Sequence, residues 1–506
     1  MQFLLEIIRH TPPWVFGILV VLIFLGLQQL RDRRVSRVRL LILPLAMAVL
    51  SLTGLARGIG WNPLALCSWG AGMATAAVIN ELLFRAPSGV RAEATGGPFL
   101  VKGSWTPMII MLALFITRYV FAVMLALHPE RRADSAFIAA SASSLGLLSG
   151  IFAARALHIW RTKPAAASAT AVAQSGGLGP MKLKTLVFIL GTLVALIALA
   201  LVGAIAFGGP GMPPPMPSIN NPFKAVDFSD LPPLDYFAAR DGARLAYRTY
   251  APRMGQATGS VVLVHGSSAA SSSMHVMAKA FAEAGYFAYA LDIRGHGASG
   301  EKGRISYVGQ LEDDVEDFVR LVPPAKPSTL AGFSSGGGFV IRFAGSARQL
   351  LFQNYLLLSP FLSLDSPTSR LDSGGWVSVG LPRLVAISII NGFGIRSFDN
   401  LPVIRFALDE ESKSFLTSEY SFALSANFGP QRAFIQNIKA IHQPCELVVG
   451  SNDEAFYADR FEDVFRSAGK IVPVTIVPDV GHIQLTLDAK AIAAEIKAVT
   501  SFDPSR

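Results

Sequence analysis

Charge is scarce in this sequence: 16% of its 506 residues are Asp, Glu, Lys or Arg, against about 25% in soluble proteins. That scarcity excludes a disordered or highly charged nucleic-acid-binding chain. Cysteine is scarcer still, with Cys67 in an apolar run and Cys445 at the head of a strand-like run. Two thiols so far apart build neither a disulfide framework nor a cysteine zinc site. Acidic residues are few in residues 1–180, which hold 6 Asp and Glu against 16 Lys and Arg, a net +10. Residues 181–506 hold 29 against 28, so the whole excess of +9 belongs to the first segment. Phosphate loops, dinucleotide fingerprints and metal-ligand spacings are missing too, and the glycines at 297–304 are loop glycines. The sequence therefore predicts no cofactor and no metal.

What is present is apolar. Half of the chain, 51%, is hydrophobic, and five of the six Trp (Trp14, Trp61, Trp69, Trp105 and Trp160) lie in the basic segment. Basic residues and Trp at the ends of apolar runs are what a bilayer selects, so the partner of this segment is membrane rather than nucleic acid. Six runs, at about 13–30, 38–56, 62–84, 104–127, 134–160 and 185–207, are long enough to cross a hydrocarbon core. Arg118 and Arg155 fall inside two of them and are expected to face the bundle interior or reach an end. The fifth run is rich in Ala, Ser and Gly, which predicts a close-packing face.

Lys and Arg in the connections give an orientation. The first, third and fifth connections carry 12 basic residues and the opposite side carries 4: Arg9, Arg57, Arg131 and Arg132. The basic side is the cytoplasmic one, which predicts an extracytoplasmic N-terminus and an extracytoplasmic location for everything after residue 207. In a bacterial inner membrane that is the periplasmic side. Residues 163–180 form a small-residue linker. MKLKTLVFILGTLVALIALALVGAIAF then has the basic start and apolar run of an export signal, but the run is too long for one. Residues 181–207 are thus predicted to be an uncleaved anchor joining a five-span domain, 1–162, to an exported domain. Residues 208–233 are a Pro-rich spacer, expected to hold that domain off the membrane surface.

From residue 234 short strands alternate with amphipathic helices. FAARDGARLAYRTYAP reads as a hairpin, and SVVLVHG, FAYALDIRG, STLAGF, NYLLLSP, CELVVGSND and VPVTIVP read as strands separated by helices. Such alternation predicts a mostly parallel sheet covered on both faces. The stretch at about 361–440 breaks the rhythm.

GFSSG at Gly332–Gly336 matches G-x-S-x-G, a weak signal on its own. Here a buried strand, STLAGF, runs into Ser334 and a helix opens directly after it. That context makes Ser334 the candidate nucleophile, held on a sharp turn that aims the first helical amides at a developing oxyanion. A serine hydroxyl needs a base, and His482, in the loop after VPVTIVP, is the candidate. Asp453, at the end of the preceding strand, is the candidate acid that orients it, with Glu454 as the rival. The order Ser334, Asp453, His482 suits hydrolases whose nucleophile sits on a strand-to-helix turn. The backbone amides of Ser267 and Ser335 are the candidate oxyanion donors. His265 and His296 are expected to structure loops, and His275 and His442 to be ordinary surface or core residues.

HGSSAASSSM, LDIRGHGASG at 291–300, GFSSGG, VVGSNDE and GH together resemble the α/β-hydrolases of the monoacylglycerol lipase, lysophospholipase and serine aminopeptidase-like group. D-x-R-G-H-G-x-S is the most specific piece. The resemblance spans roughly 234–504 and implies the α/β hydrolase fold, the triad, and hydrolysis of esters more often than amides. It makes 361–440 a lid insertion, which departs from the lipases in length and composition, so substrate identity does not carry over. The first 160 residues resemble a bacterial family of small integral membrane proteins without known function. An apolar lid suits an acyl chain, so the sequence predicts a membrane-anchored serine esterase acting on lipid or other apolar esters. An aminopeptidase or amidase, with Asp409, Glu410 or Glu411 holding a substrate amine, is the alternative, as is a non-catalytic receptor that senses ligand through the pocket.

Overall fold

The computed structural model describes residues 13–83, 90–92, 98–127, 129–162, 198, 200–213, 221–252, 257–370, 375–431 and 433–502. The chain divides into two compact units, Met1–Phe207 and Gly208–Arg506.

The first unit is built from α1 (Pro13–Gln28), α2 (Arg37–Ile59), α3 (Pro63–Leu83), α4 (Thr106–Leu127) and α5 (Ser135–Trp160). Among the described residues, three helices are long and apolar enough to cross a membrane: Arg37–Ile59, Thr106–Leu125 and Ser135–Trp160. Among the other runs expected to span, α1 has 16 residues. Helix α3 is diluted by Ser68, Asn80, Glu81 and its glycines. Most of the sixth run and the 163–180 linker lie outside the described residues. The small-residue run does pack closely. A Cβ on Gly146 of α5 would stand 2.0 Å from the Trp69 carbonyl oxygen of α3, so only glycine permits this approach.

Two basic connections unexpectedly zip together. Strands β1 (Arg33–Val35), β2 (Arg91–Ala92) and β3 (Phe99–Val101) form an antiparallel sheet in the order β1-β3-β2. The apolar Val35, Phe99 and Val101 are buried there, which explains why connections that read as polar loops are ordered as strands.

The second unit opens with the predicted hairpin, β4 (Asp235–Ala238) and β5 (Arg244–Tyr250). It continues through β6 (Gly259–Val264), α6 (His275–Glu283), β7 (Tyr286–Leu291), α7 (Gln310–Leu321), β8 (Ser328–Phe333), α8 (Ser335–Ala344) and β9 (Asn354–Leu358). An insertion holds β10 (Val377–Val379), α9 (Leu381–Gly392), β11 (Pro402–Phe406), β12 (Glu419–Ser421) and α10 (Phe422–Asn427). Then follow β13 (Cys445–Gly450), α11 (Phe461–Ser467), β14 (Val474–Val477) and α12 (Ala489–Ser501). The eight-stranded sheet has the order β14-β13-β9-β8-β6-β7-β5-β4, with β5 and β4 joined antiparallel to an otherwise parallel sheet.

Central strands buried on both faces read as continuous apolar runs. In β6, Val262 and Val264 face one core with Leu330, Phe339 and Phe318, while Val261 and Leu263 face the other with Phe281, Ala331 and Phe333. This period of two fixes the pleat and so the end of β8 from which Ser334 emerges. The insertion is not simply helical: β10, β11 and β12 pair antiparallel, with Val377 opposite Phe406.

The Pro-rich segment also differs from the expectation. Its described residues lie along the second unit: Arg383 donates to the Gly208 carbonyl, Asp230 accepts from the His275 ring and from Lys279, and Arg248 bonds the Pro232 carbonyl. Complementary charges and carbonyls thus tie Gly208, Asp230 and Pro232 to the domain surface.

Gly336, in the first turn of α8, permits the helix to meet β6. A Cβ there would stand 2.3 Å from the His265 carbonyl oxygen. Gly336→Ala is expected to lower the thermal midpoint of the second unit, by the equivalent of about 1–3 kcal/mol. An unchanged midpoint would mean that the β6 end can yield.

Candidate active site

Ser334 stands between β8 and α8 with φ 55° and ψ −119°. Its amide donates to the Leu358 carbonyl at 2.9 Å, and its own carbonyl accepts from Gly338 at 3.0 Å and Phe361 at 2.9 Å. The backbone is therefore gripped on both sides, and the hydroxyl projects from the turn. Its Oγ lies 3.1 Å from His482 Nε2. His482 Nδ1 lies 2.8 Å from Asp453 Oδ2. The imidazole is wedged between Phe333, 4.7 Å away, and Phe456, edge-on at 5.3 Å, which limits its rotation. Asp453 follows β13 and is 1% exposed. Its Oδ1 accepts from the amides of Ala455 and Phe456 at 2.8 and 2.9 Å. Burial pushes its carboxyl up, yet the neighbouring His482 and the bonds from its ring and from Phe456 hold it below the usual carboxylate range. An ionised Asp453 with Oδ2 on Nδ1 leaves Nε2 free to take a proton from Ser334.

Glu454 does something different: it accepts from the backbone amide of His482 at 2.7 Å. The rival carboxylate thus pins the loop that carries His482, while Asp453 faces the ring. Ser267 and Ser335 flank Ser334, and their hydroxyls hydrogen-bond each other. The Ser335 amide is the first of α8 and has no carbonyl behind it, and neither amide donates to a protein group among the described residues.

The remaining histidines take the places expected of structural ones. His265 and His296 are fully buried and pack edge-on at 4.8 Å. Burial, with His265 alongside, pushes His296 well below its ordinary value. His275 bonds Tyr250 at 3.0 Å, and the His442 amide donates to Gln349 at 2.9 Å. In the D-x-R-G-H-G-x-S stretch every polar side chain is a brace. Asp292 holds the amides of Ser271 and Ala298, Arg294 pairs with Asp241 and Asp314, and Ser299 caps the Ala246 amide. Tyr420, from the insertion, was not visible as a site residue: it bonds Ser268, 152 positions away, and no local pattern marks such a contact.

A sharp turn carrying Ser334 between the central strand and its helix, with Asp453 after β13 and His482 after β14, decides the architecture. Residues 234–502 have the α/β-hydrolase fold. Within it, residues 255–388 match the family described as serine aminopeptidase, S33. Residues 1–174 match a family of unknown function, DUF6622. A monoacylglycerol lipase of Mycolicibacterium smegmatis is 40% identical over 118 residues, which cover 22% of this chain. The chain spans 40% of that relative's length. Among solved structures, a soluble variant of monoglyceride lipase from Saccharomyces cerevisiae is 17% identical, covering 55% of this chain and 97% of its own, with a TM-score of 0.42. The Paleococcus ferrophilus monoacylglycerol lipase is 20% identical, covering 51% and 99%, with a TM-score of 0.39.

The geometry separates the two carboxylates experimentally. Asp453→Asn is expected to lower kcat for ester hydrolysis about 10³–10⁴-fold by imposing the wrong tautomer, and Glu454→Gln less than about tenfold. Measured kcat values in the reverse order would transfer the orienting role to Glu454.

Proposed function

We propose that the chain is a membrane-anchored serine hydrolase that cleaves carboxylic esters of apolar acyl substrates, in the manner of a lysophospholipase or monoacylglycerol lipase. The observation that carries this reading is the line from Ser334 Oγ through His482 to Asp453, with steps of 3.1 and 2.8 Å. Ser334 attacks the ester carbonyl while His482 Nε2 takes its proton. The oxyanion of the tetrahedral intermediate is received by the amides of Ser267 and Ser335. Collapse expels the alcohol, which takes the proton from His482 and leaves an acyl-Ser334. Water, deprotonated by His482, then attacks the acyl-enzyme and releases the acid.

The insertion supports an apolar substrate. Val385, Ile389 and Phe393 are exposed and spaced by four along and just beyond α9, so they share one side. The relative named as a monoacylglycerol lipase favours an ester as well. The amidase reading draws on the description of the matching family, but Asp409 is engaged in capping the Ser412 amide at 2.8 Å, and Glu410 pairs with Lys413. A receptor without turnover would have no use for a donor line ending on a strained serine.

In the same reading the chain sits in the bacterial inner membrane with the hydrolase on the periplasmic side. The pairing of β1 with β3 supports this, because it joins the first and third connections, the basic ones, on one side of the helices. Arg161, at the end of α5, lies 3.4 Å from Glu81, at the same end of α3.

Two experiments test the proposal. Ser334→Ala should abolish labelling of the full-length chain by a fluorophosphonate probe together with esterase activity. Labelling at the wild-type level, or wild-type labelling at Ser335, would contradict it. An alkaline phosphatase fusion after residue 215 should be active and a green fluorescent fusion dark. The opposite pattern would put the hydrolase in the cytoplasm.

A further inference from the structure

The insertion reaches back into the oxyanion loop mainly at Ser268, and Tyr420 also hydrogen-bonds the Ser267 side chain. Ser268 follows the candidate donor Ser267 and has a left-handed φ of 66°, strained for a residue with a side chain. All three of its polar groups end on the insertion. Its amide donates to Tyr420 Oη at 2.6 Å, its hydroxyl donates to the Thr417 carbonyl at 2.6 Å, and its carbonyl accepts from the Thr417 amide at 2.8 Å. Tyr420 in turn is 3% exposed and lies 2.6 Å from His296 Nε2.

The direction of this chain is set. His296 Nδ1 faces the carbonyls of Ile293 and Arg294 at 3.2 and 3.3 Å, so Nδ1 carries the proton and Nε2 is the acceptor. The phenol donates to Nε2, and its lone pair is then turned to the Ser268 amide. Burial favours the neutral form of both rings, pushing Tyr420 up and His296 down. Fixing the Ser268 amide fixes the peptide plane between Ser267 and Ser268. The Ser267 amide lies one plane earlier, in the Gly266–Ser267 peptide, so holding the next plane narrows the directions its N–H can take. The hydroxyl pair of Ser267 and Ser335 joins the two donor residues across the site.

We propose that Tyr420, carried by β12 of the insertion, is a positioning residue of the oxyanion hole. Its phenol holds the Ser268 amide and so aims the Ser267 N–H, and the two donors are assembled only while residues 417–420 are seated. The proposal rests on the serine-hydrolase reading above and adds a task for the insertion: it completes the electrostatic part of the site as well as covering it.

The test uses the full chain in detergent, with p-nitrophenyl butyrate as substrate and a trifluoromethyl ketone of matching chain length as the tetrahedral mimic. Rates are normalised to the fraction of chains that a fluorophosphonate titrates, so partial unfolding does not imitate the effect. Loss of one oxyanion donor costs about 10²–10³ in kcat, and a misaimed donor should cost less. Tyr420→Phe is therefore expected to lower kcat about 10–100-fold with KM within about twofold, and to weaken the ketone by a similar factor. Ser268→Ala, which cuts only the bond to the Thr417 carbonyl, should act in the same direction by about 3–10-fold, and it decides the matter if the phenylalanine variant gives no titratable chains. Unchanged kcat and ketone affinity in the titratable variants would overturn the proposal, as would a rise in KM alone. A wild-type chain that neither turns over nor is titrated would instead overturn the serine-hydrolase reading.

Discussion

Ser334 occupies a backbone conformation, φ 55° and ψ −119°, that costs about 1–3 kcal/mol for a residue with a side chain. The surroundings of the site can be understood as what holds it there. Leu358 at the end of β9 takes its amide, and Phe361 and Gly338 bond its carbonyl. Gly336 lets α8 close on the end of β6, where a side chain would collide with His265. Strands β8, β6 and β9 have to be central and parallel for these three partners to arrive at one point. The two-faced apolar pattern of those strands is the physical origin of that centrality.

A second layer of constraint comes from buried polar groups. His265, His296, Asp292, Arg294 and Ser299 are all nearly inaccessible, and burial without partners would be costly. Each finds one: His265, His296 and Asp292 in the loops near Ser334, Arg294 on Asp241 and Asp314, and Ser299 on the Ala246 amide. Tyr420 and Thr417 link this layer to the insertion. Helix α9 presents exposed apolar side chains, while the 417–420 stretch is tied to the loops around Ser334.

Much of the hydrolase was legible because its signals are local. STLAGF followed by SSGGG gives a buried strand breaking into a glycine-opened helix, and VVGSND gives a strand ending in a carboxylate. What could not be read depends on long-range contact. Nothing near Tyr420 shows that it meets Ser268, and although the strand end singled out Asp453 over Glu454, the bond from Glu454 to the His482 backbone amide was not visible. The β10-β11-β12 sheet was hidden because its strands are three to five residues long. In the first unit, hydropathy located the described helices but not the β1-β3-β2 sheet, in which β1 pairs with a strand of a different, distant connection and β2 and β3 pair within one. The Pro-rich composition of 208–233 suggested an extended spacer, and it did not show that the Gly208 and Pro232 carbonyls and Asp230 bond the domain.

The central claim is that Ser334 forms a covalent acyl intermediate with an apolar ester. Acid quenching of the full-length chain during turnover of p-nitrophenyl butyrate, followed by peptide mass analysis, tests it most directly. A butyryl adduct is expected on the peptide spanning β8 and α8, localised by fragmentation to Ser334. Turnover with no adduct under any quench, or an adduct on Ser335 or Ser267 instead, would contradict it.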